Sequence, residues 1–311
     1  VNDPNQTTST TRATVVITTK NRKDELRIAV RSAVEQTAKA EILVIDDGST
    51  DGSAEMIRAE FPQVRLNRVE KSLGLIVQRN RAAELATGDI IISMDDDAAF
   101  STPRVVEQTL RDFSSPRVGA VAIPFINVNK ENTLQQRGRD DNTVMCGNDY
   151  IGTAHAVRRD LFLRLGGYRG YLFHQGEERD FCIRMLDEGH VVRFGRSDPI
   201  HHFESPRRDF RRMDLFGRRN DILYMWYNVP WPMFPPHLIG TTFRGVVFGF
   251  KVRRPWRMIQ GLFKGYGAML HEIGKRRPVR RQTYELSRLL KHRGPLPLEQ
   301  IESSLAPTPG R

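Results

Sequence analysis

Apolar positions in the first hundred residues come in short blocks, not in strict alternation. Four β-rich runs stand out: "TVVIT" at 14–18, "EILVID" at 41–46, "VRLNRV" at 64–69 and "IIISMD" at 90–95. Continuous apolar runs suit strands buried on both faces. Between them lie stretches whose apolar residues recur at helical spacing. Asp24 is placed to cap a helix running to about Thr37, with Leu26, Val30, Ala33 and Val34 on its inner face. A second helix follows in "AEMIRAEF", and "LIVQRNRAAELATGD" reads as a third that stops near Gly88. Strands alternating with helices in this way predict an α/β fold with a doubly wound, mostly parallel sheet.

The second half is less regular. "VMCGNDYIGTAHAVRRDLFLRLGGYRG" combines a turn, a strand and an amphipathic helix that ends at Gly166-Gly167. "GEERDFCIRMLDEGH" predicts a helix with Glu177, Glu178 and Asp180 in its first turn and an end at Gly189. "VVRF" is a short strand, and "DPIHHFESPRRDFRRMDLFGRRND" is an exposed loop entering a basic helix. After "NVPWPMFPP" the composition shifts, which marks a boundary near Pro235.

Charge sharpens that boundary. Residues 201–311 hold 21 Lys and Arg against 8 Asp and Glu, a net of +13, so the remainder of the +11 chain carries −2. A basic tail on a near-neutral domain points to an anionic surface or ligand. Cys146 and Cys182 are the only cysteines, which excludes a disulfide framework and fits a reducing, cytoplasmic compartment. The polar start "VNDPNQTTSTTR" has no signal-peptide pattern, and no run of 18 uninterrupted apolar residues occurs.

Two of the strands end in carboxylates, at Asp46-Asp47 and at Asp95-Asp96-Asp97. Parallel neighbours bring such ends to one crevice, where ligands bind in open α/β sheets. An isolated aspartate triplet also reads as a solvated turn. The chain contains neither GxGxxG nor GxxxxGK[ST]. Phosphates must therefore be neutralised by a metal or by Arg and Lys.

Taken together, "VVITTKNR", "ILVIDDGSTDGS", "QRNRAAELATGDIIISMDDDA", "GGYRGYLFHQGEERDFCIRM" and "HHFESP" resemble the family 2 inverting glycosyltransferases of GT-A fold, over roughly residues 13–230. The resemblance implies a Rossmann-like sheet flanked by helices, followed by a mainly helical C-terminal extension. It divides the chain into a flexible tail (1–12), a nucleotide-sugar-binding half (13–135), an acceptor-binding and catalytic half (136–235) and a basic helical extension (236–311). The implied activity moves one sugar from a nucleoside-diphosphate sugar to a hydroxyl of a glycan or lipid-linked cell-envelope precursor. Polymer-forming members carry Q-x-x-R-W, which is absent here, so a single transfer is expected.

The same resemblance assigns roles. A diphosphate leaving group needs a divalent cation, and carboxylates suit Mn2+ or Mg2+. Asp95 and Asp97 are the outer members of the DxD motif, with Asp97 the direct ligand, Asp95 near ribose and metal, and Asp96 on the nucleotide-sugar side. Thr18, Asn21 and Arg22 follow the first strand, and Asp46 accepts a hydrogen bond from the nucleobase. Arg79 lines the diphosphate side or is a solvated helix residue. Glu178 is the expected general base where the family usually has aspartate, with Glu177 as the other choice. Asp180 supports arginines near the site, and with Gly147 and Arg219 it belongs to the acceptor or diphosphate side. His201 or His202 completes the metal shell or touches the diphosphate; the pattern H-x-E-S-P favours His202, and neighbours on a strand face opposite ways, so only one can point in.

The aromatic and basic segment after Pro235 is expected either to lie on anionic membrane, at its inner face, or to pack as a helical flap. A nucleic-acid-binding protein is disfavoured, because no recognition signature is present and acidic strand ends repel a phosphate backbone. A sugar-phosphate nucleotidyltransferase would share the nucleotide crevice but should carry a glycine-rich phosphate loop, and the loop "TKNRKDE" has no glycine.

Overall fold

A computed structural model describes residues 11–204 and 209–307. The expected tail lies mostly outside the described residues. The first half alternates as anticipated: β1 (Ala13–Thr19), α1 (Lys23–Val34), β2 (Glu41–Asp46), α2 (Ser53–Glu60), β3 (Arg65–Arg68), α3 (Leu75–Leu85) and β4 (Ile90–Asp95). It continues through β5 (Ala98–Phe100), α4 (Val105–Arg111), β6 (Val118–Ala122), β7 (Phe125–Asn127), β8 (Leu134–Gln135), β9 (Met145–Gly147) and β10 (Ala154–Arg158). Then come α5 (Arg159–Arg164), α6 (Glu177–Asp187), β11 (Val191–Phe194), β12 (Ile200–His202) and α7 (Phe210–Asn228). The C-terminal part contributes α8 (Phe234–Lys251), α9 (Pro255–His271), α10 (Arg281–Arg293), β13 (Leu296–Pro297) and α11 (Leu298–Ile301).

Nine strands form the central sheet in the order β13-β9-β11-β6-β10-β4-β1-β2-β3. The segment β4-β1-β2-β3 is parallel throughout. Ile90, Ile91 and Ile92 are buried on both faces of it, as the apolar run demanded. Register aligns Thr18 of β1 with Asp95 of β4, and Thr19 with Asp46 of β2, so three strands end together. Beyond β4 the sheet turns mixed, because β10 runs antiparallel to both β4 and β6. A smaller sheet, β5-β12-β7-β8, stands over this end.

One local expectation needs correction. Asp24 does not cap α1; it lies inside the first turn, with its carboxylate on Arg27 Nη1 at 2.8 Å. The helix also ends at Val34, short of Thr37. Tertiary contacts take the chain away: Gln36 Nε2 donates to Thr102 O at 2.8 Å and Thr37 N donates to Pro103 O at 2.8 Å.

The C-terminal chain returns to the main body. β13 pairs with β9 at the sheet edge, and Leu286, Leu290 and Ile301 are buried in the same core as Val118, Cys146 and Val191. Leu290→Ala should therefore destabilise the whole fold by about 2–5 kcal/mol, the usual cost of truncating a well-packed core side chain. Chemical denaturation checks this. A midpoint equal to that of the parent chain would mean that α10 packs independently.

Candidate active site

The shared strand ends open into a crevice of about 590 Å3, walled by Thr18, Thr19, Lys20, Arg22, Asp47, Gln78 and Asp95–Asp97 on the sheet side. His174, Gln175, His202, Glu204 and Arg212 close it from the other side. The aspartate triplet is not a solvated turn: Asp96 and Asp97 are both buried. Arg22 Nη1 sits between them, 3.0 Å from Asp96 Oδ1 and 2.7 Å from Asp97 Oδ2. Thr19 Oγ1 donates to Asp96 at 2.8 Å. Burial pushes Asp96 up to about 7 in spite of Arg22. Burial acts on Asp97 in the same direction, but His202 and Arg22 outweigh it and hold Asp97 below the usual carboxylate range.

The small sheet supplies the histidine. β12 pairs with β5 so that His202 stands opposite Ala98, immediately after Asp97. His202 Nε2 lies 3.3 Å from Asp97 Oδ1, while Nδ1 is 2.6 Å from Asn127 Oδ1. Ligand atoms of Asp95, Asp97 and His202 all fall within 4.8 Å of one another. His201, its neighbour on the strand, stays outside this group. Two carboxylates and an imidazole form a donor set that suits Mn2+ or Mg2+. With Nδ1 engaged by Asn127 Oδ1, Nε2 is the ring nitrogen of His202 placed to ligate a cation beside Asp97.

Arg79 joins the two halves of the site. Its guanidinium is buried, not solvated: Nη2 contacts Asp95 Oδ1 at 2.8 Å, and Nη1 lies 3.3 Å from Glu178 and 3.6 Å from Glu177. Nη2 also donates to Gly152 O at 3.1 Å. A methyl group on Gly152 would stand 2.3 Å from Glu178 Oε1 and 2.9 Å from Arg79 Nη1, so this pairing requires a glycine there. Glu177 and Glu178 open α6 after Gly176, whose φ of 88° turns the chain into the helix. Burial raises both carboxyls, and for Glu178 the charge of Glu177 adds to the effect. The side chain of Glu177 is 4% exposed and that of Glu178 is 18% exposed, so Glu178 is the more open of the two.

Other expected residues take supporting places. Asn21 adopts a φ of 54° and accepts from Thr50 N at 2.7 Å, which ties the loop after β1 to the Asp-Gly-Ser-Thr turn. Asp46 is folded beneath that turn and accepts from Ser49 N at 2.8 Å; the crevice wall carries Asp47 instead. Asp47 accepts from Leu73 N, Gly74 N, Ser72 Oγ and Gln78 Nε2, and so fixes the loop before α3. Asp180 is clasped by Arg169, Arg184 and Asn228. Arg219 is buried, donates to Tyr171 O at 2.9 Å and stacks on the Tyr171 ring. Asn220 Nδ2 meets the carbonyls of Leu172, His174 and Gln175, so α7 braces the loop that presents His174 and Gln175. Gly147 lies in β9, where an added Cβ would stand 2.0 Å from the Phe194 ring, and it does not line the crevice. Gly152, His174 and Gln175 are not singled out by the sequence, whereas Asn220 is expected beside Arg219 on the diphosphate or acceptor side and Asp47 at the end of β2.

A Rossmann-like half with carboxylates at the ends of parallel strands, facing an acid pair that opens a helix, defines a GT-A nucleotide-sugar transferase fold. The family model for glycosyl transferase family 2 matches residues 14–174, and the chain belongs to that family. A 99-residue stretch is 38% identical to the uncharacterized glycosyltransferase YibD of Escherichia coli, covering 30% of this chain and 28% of that protein. Over 198 residues the chain is 25% identical to a glucosyl-dolichyl phosphate glucuronosyltransferase of Haloferax volcanii, covering 56% of this chain and 62% of the relative. It thus spans less than two thirds of the length of either relative. Among solved structures, the mannosyltransferase PcManGT of Pyrobaculum calidifontis, in complex with GDP-Man and Mn2+, matches with a TM-score of 0.59 at 19% identity. That match covers 92% of this chain and 80% of the other, and the likeness is one of fold.

Proposed function

We propose that this protein transfers one sugar, with inversion, from a nucleoside-diphosphate sugar to a hydroxyl acceptor, using Mn2+ or Mg2+. The observation that carries the reading is the convergence of Asp95, Asp97 and His202 at the end of the parallel strands. Arg79 links Asp95 of that cluster to Glu178. A divalent cation held there would neutralise charge on the departing diphosphate. Asp97, in the turn between β4 and β5, and His202 on β12 would hold it, with Asp95 contributing from the end of β4. Thr18, Arg22, Asp96 and Asp47 form the nucleotide wall, shaped from behind by Asn21 and Asp46. Glu178 takes the proton from the acceptor oxygen as that oxygen attacks the anomeric carbon opposite the leaving group. Arg79 acts as a positioning residue that keeps base and metal ligands in one frame. Arg219 and Asp180 stabilise the elements on the acceptor side.

The acceptor is assigned to a glycan or lipid-linked class. A relative whose name places it on glucosyl-dolichyl phosphate supports a lipid-linked hydroxyl. The test is a panel of nucleoside-diphosphate sugars with Mn2+ and lipid-linked or glycan acceptors, read by nucleoside-diphosphate release and by the anomeric configuration of the product. One donor should be consumed, with inversion and with loss of turnover in chelator. A product of retained configuration overturns the inverting mechanism. Consumption of a nucleoside triphosphate with a sugar phosphate would instead identify a nucleotidyltransferase.

A further inference from the structure

The helical hairpin of α8 and α9 turns its large apolar side chains outward. Ile239, Phe243 and Phe250 on α8 are 65–70% exposed, and Trp256, Phe263 and Leu270 on α9 are 65–76% exposed. Their spacing is regular. Residues 239, 243 and 250 share one face of α8, and residues 256, 263 and 270 recur every seventh position along α9. The inward faces explain why these side chains are not needed inside. Gly261 and Gly265 let α9 approach α7 so closely that added Cβ atoms would stand 2.7 Å from Leu215 O and 2.8 Å from Ile222 Cβ. Packing therefore proceeds by backbone proximity, and the aromatic payload is left on the opposite side. Soluble surfaces rarely gather so many apolar residues in one place without a partner.

Charge selects the partner. Residues 222–271 contain no Asp or Glu but six Lys and Arg. Lys251, Arg253, Arg257 and Lys264 are exposed beside the apolar rings. On a further side of α8, Arg244 joins Arg218, Arg288 and Lys291 around a second cavity of about 580 Å3. Among the described residues no helix is long and apolar enough to cross a membrane. A second copy of the chain is disfavoured as the occupant, because pairing two such faces would bring like charges together.

We infer that the α8–α9 hairpin lies in the interface of an anionic lipid bilayer, its apolar rings among the acyl chains and its cations on the headgroup phosphates. This goes beyond sugar transfer and does not depend on it. The test uses the full chain, because α10 and β13 belong to the core and removing them would unfold it. Flotation is compared for vesicles of phosphatidylcholine alone and of phosphatidylcholine with phosphatidylglycerol. The chain should float with the anionic vesicles, and high salt should reduce the bound fraction. The triple variant F243E/W256E/F263E replaces exposed side chains only and should melt with the parent, while its vesicle affinity falls at least about tenfold. Quenching of tryptophan fluorescence by brominated lipid should fall sharply in W256F, leaving only what Trp231 near the start of α8 contributes. Absence of parental binding overturns the inference, as does equal binding by the triple variant, which would show adsorption by charge alone. A dimer in solution that the triple variant dissolves, without vesicle binding by the parent, would assign the face to a second copy and also overturn it.

Discussion

Asp97→Ala should abolish sugar transfer, with a loss of at least on the order of 10³-fold, and should remove the Mn2+ dependence of nucleoside-diphosphate binding. Asp97 is the most constrained of the three acids. It is buried between Arg22 and His202, two groups from different parts of the chain that hold it ionised despite burial. Asp95 is more exposed, and its Oδ1 is already held by Arg79. Removing Asp97 leaves Arg22 paired with Asp96 alone and takes one of three donors from the proposed cation site. The histidines supply an internal control: His202→Ala should weaken Mn2+-dependent turnover strongly, and His201→Ala should have little effect. Titration of nucleoside diphosphate by calorimetry, with and without Mn2+, separates lost binding from lost chemistry. Full activity of the parent in excess chelator, or an Asp97→Ala variant that still turns over, would sink the metal assignment.

Most of the sheet side of this crevice is legible in sequence because its signals are local. Each strand from β1 to β4 is a run of consecutive residues, and the acids at their ends are simply the next residues in the chain. What stayed hidden depends on contacts between distant segments. Arg79 occupies a helix position that sequence leaves open to solvent, and only its three carboxylate partners, two of them about a hundred residues downstream, explain its burial. The H-x-E-S-P pattern favours His202 over His201, and strand register against β5 supplies what alternation alone does not, by setting His202 opposite Ala98. Gly152 gave no signal, since its importance lies in the side chain it lacks beside Glu178. The shift after Pro235 was visible in composition, but β13 and the buried Leu286 and Leu290 are tied to the sheet by pairings no local pattern announces. Asp24 misled for a related reason: its acid suited a cap, but the helix starts one residue earlier, at Lys23, and the residue before the helix, Arg22, turns to the aspartate triplet.

The acid pair opening α6 leads to the second large effect. Glu178→Gln should lower kcat by about 10²–10⁴-fold, the usual contribution of a general base, with donor affinity nearly unchanged. Glutamine retains the shape and the contact to Arg79 but cannot accept the acceptor's proton. Glu177→Gln should remain active, because Glu177 is buried away from an incoming hydroxyl. The pH profile carries an independent signature. Burial and the neighbouring charge of Glu177 raise the Glu178 carboxyl above its ordinary range, so the base is protonated, and idle, at pH values where a normal glutamate would be ionised. The acid limb of kcat should therefore rise with pH at a higher position than for an unperturbed carboxylate. Removing the Glu177 charge takes away the larger of the two neighbouring charges that add to burial, so the limb of Glu177→Gln should move to lower pH while its plateau persists. Rates measured across pH for the parent and both variants decide the matter. A dead Glu177→Gln with a live Glu178→Gln would exchange the two roles. Loss of activity in both, with unshifted limbs in what remains, would mean that the pair holds Arg79 in place and that the proton leaves by another group.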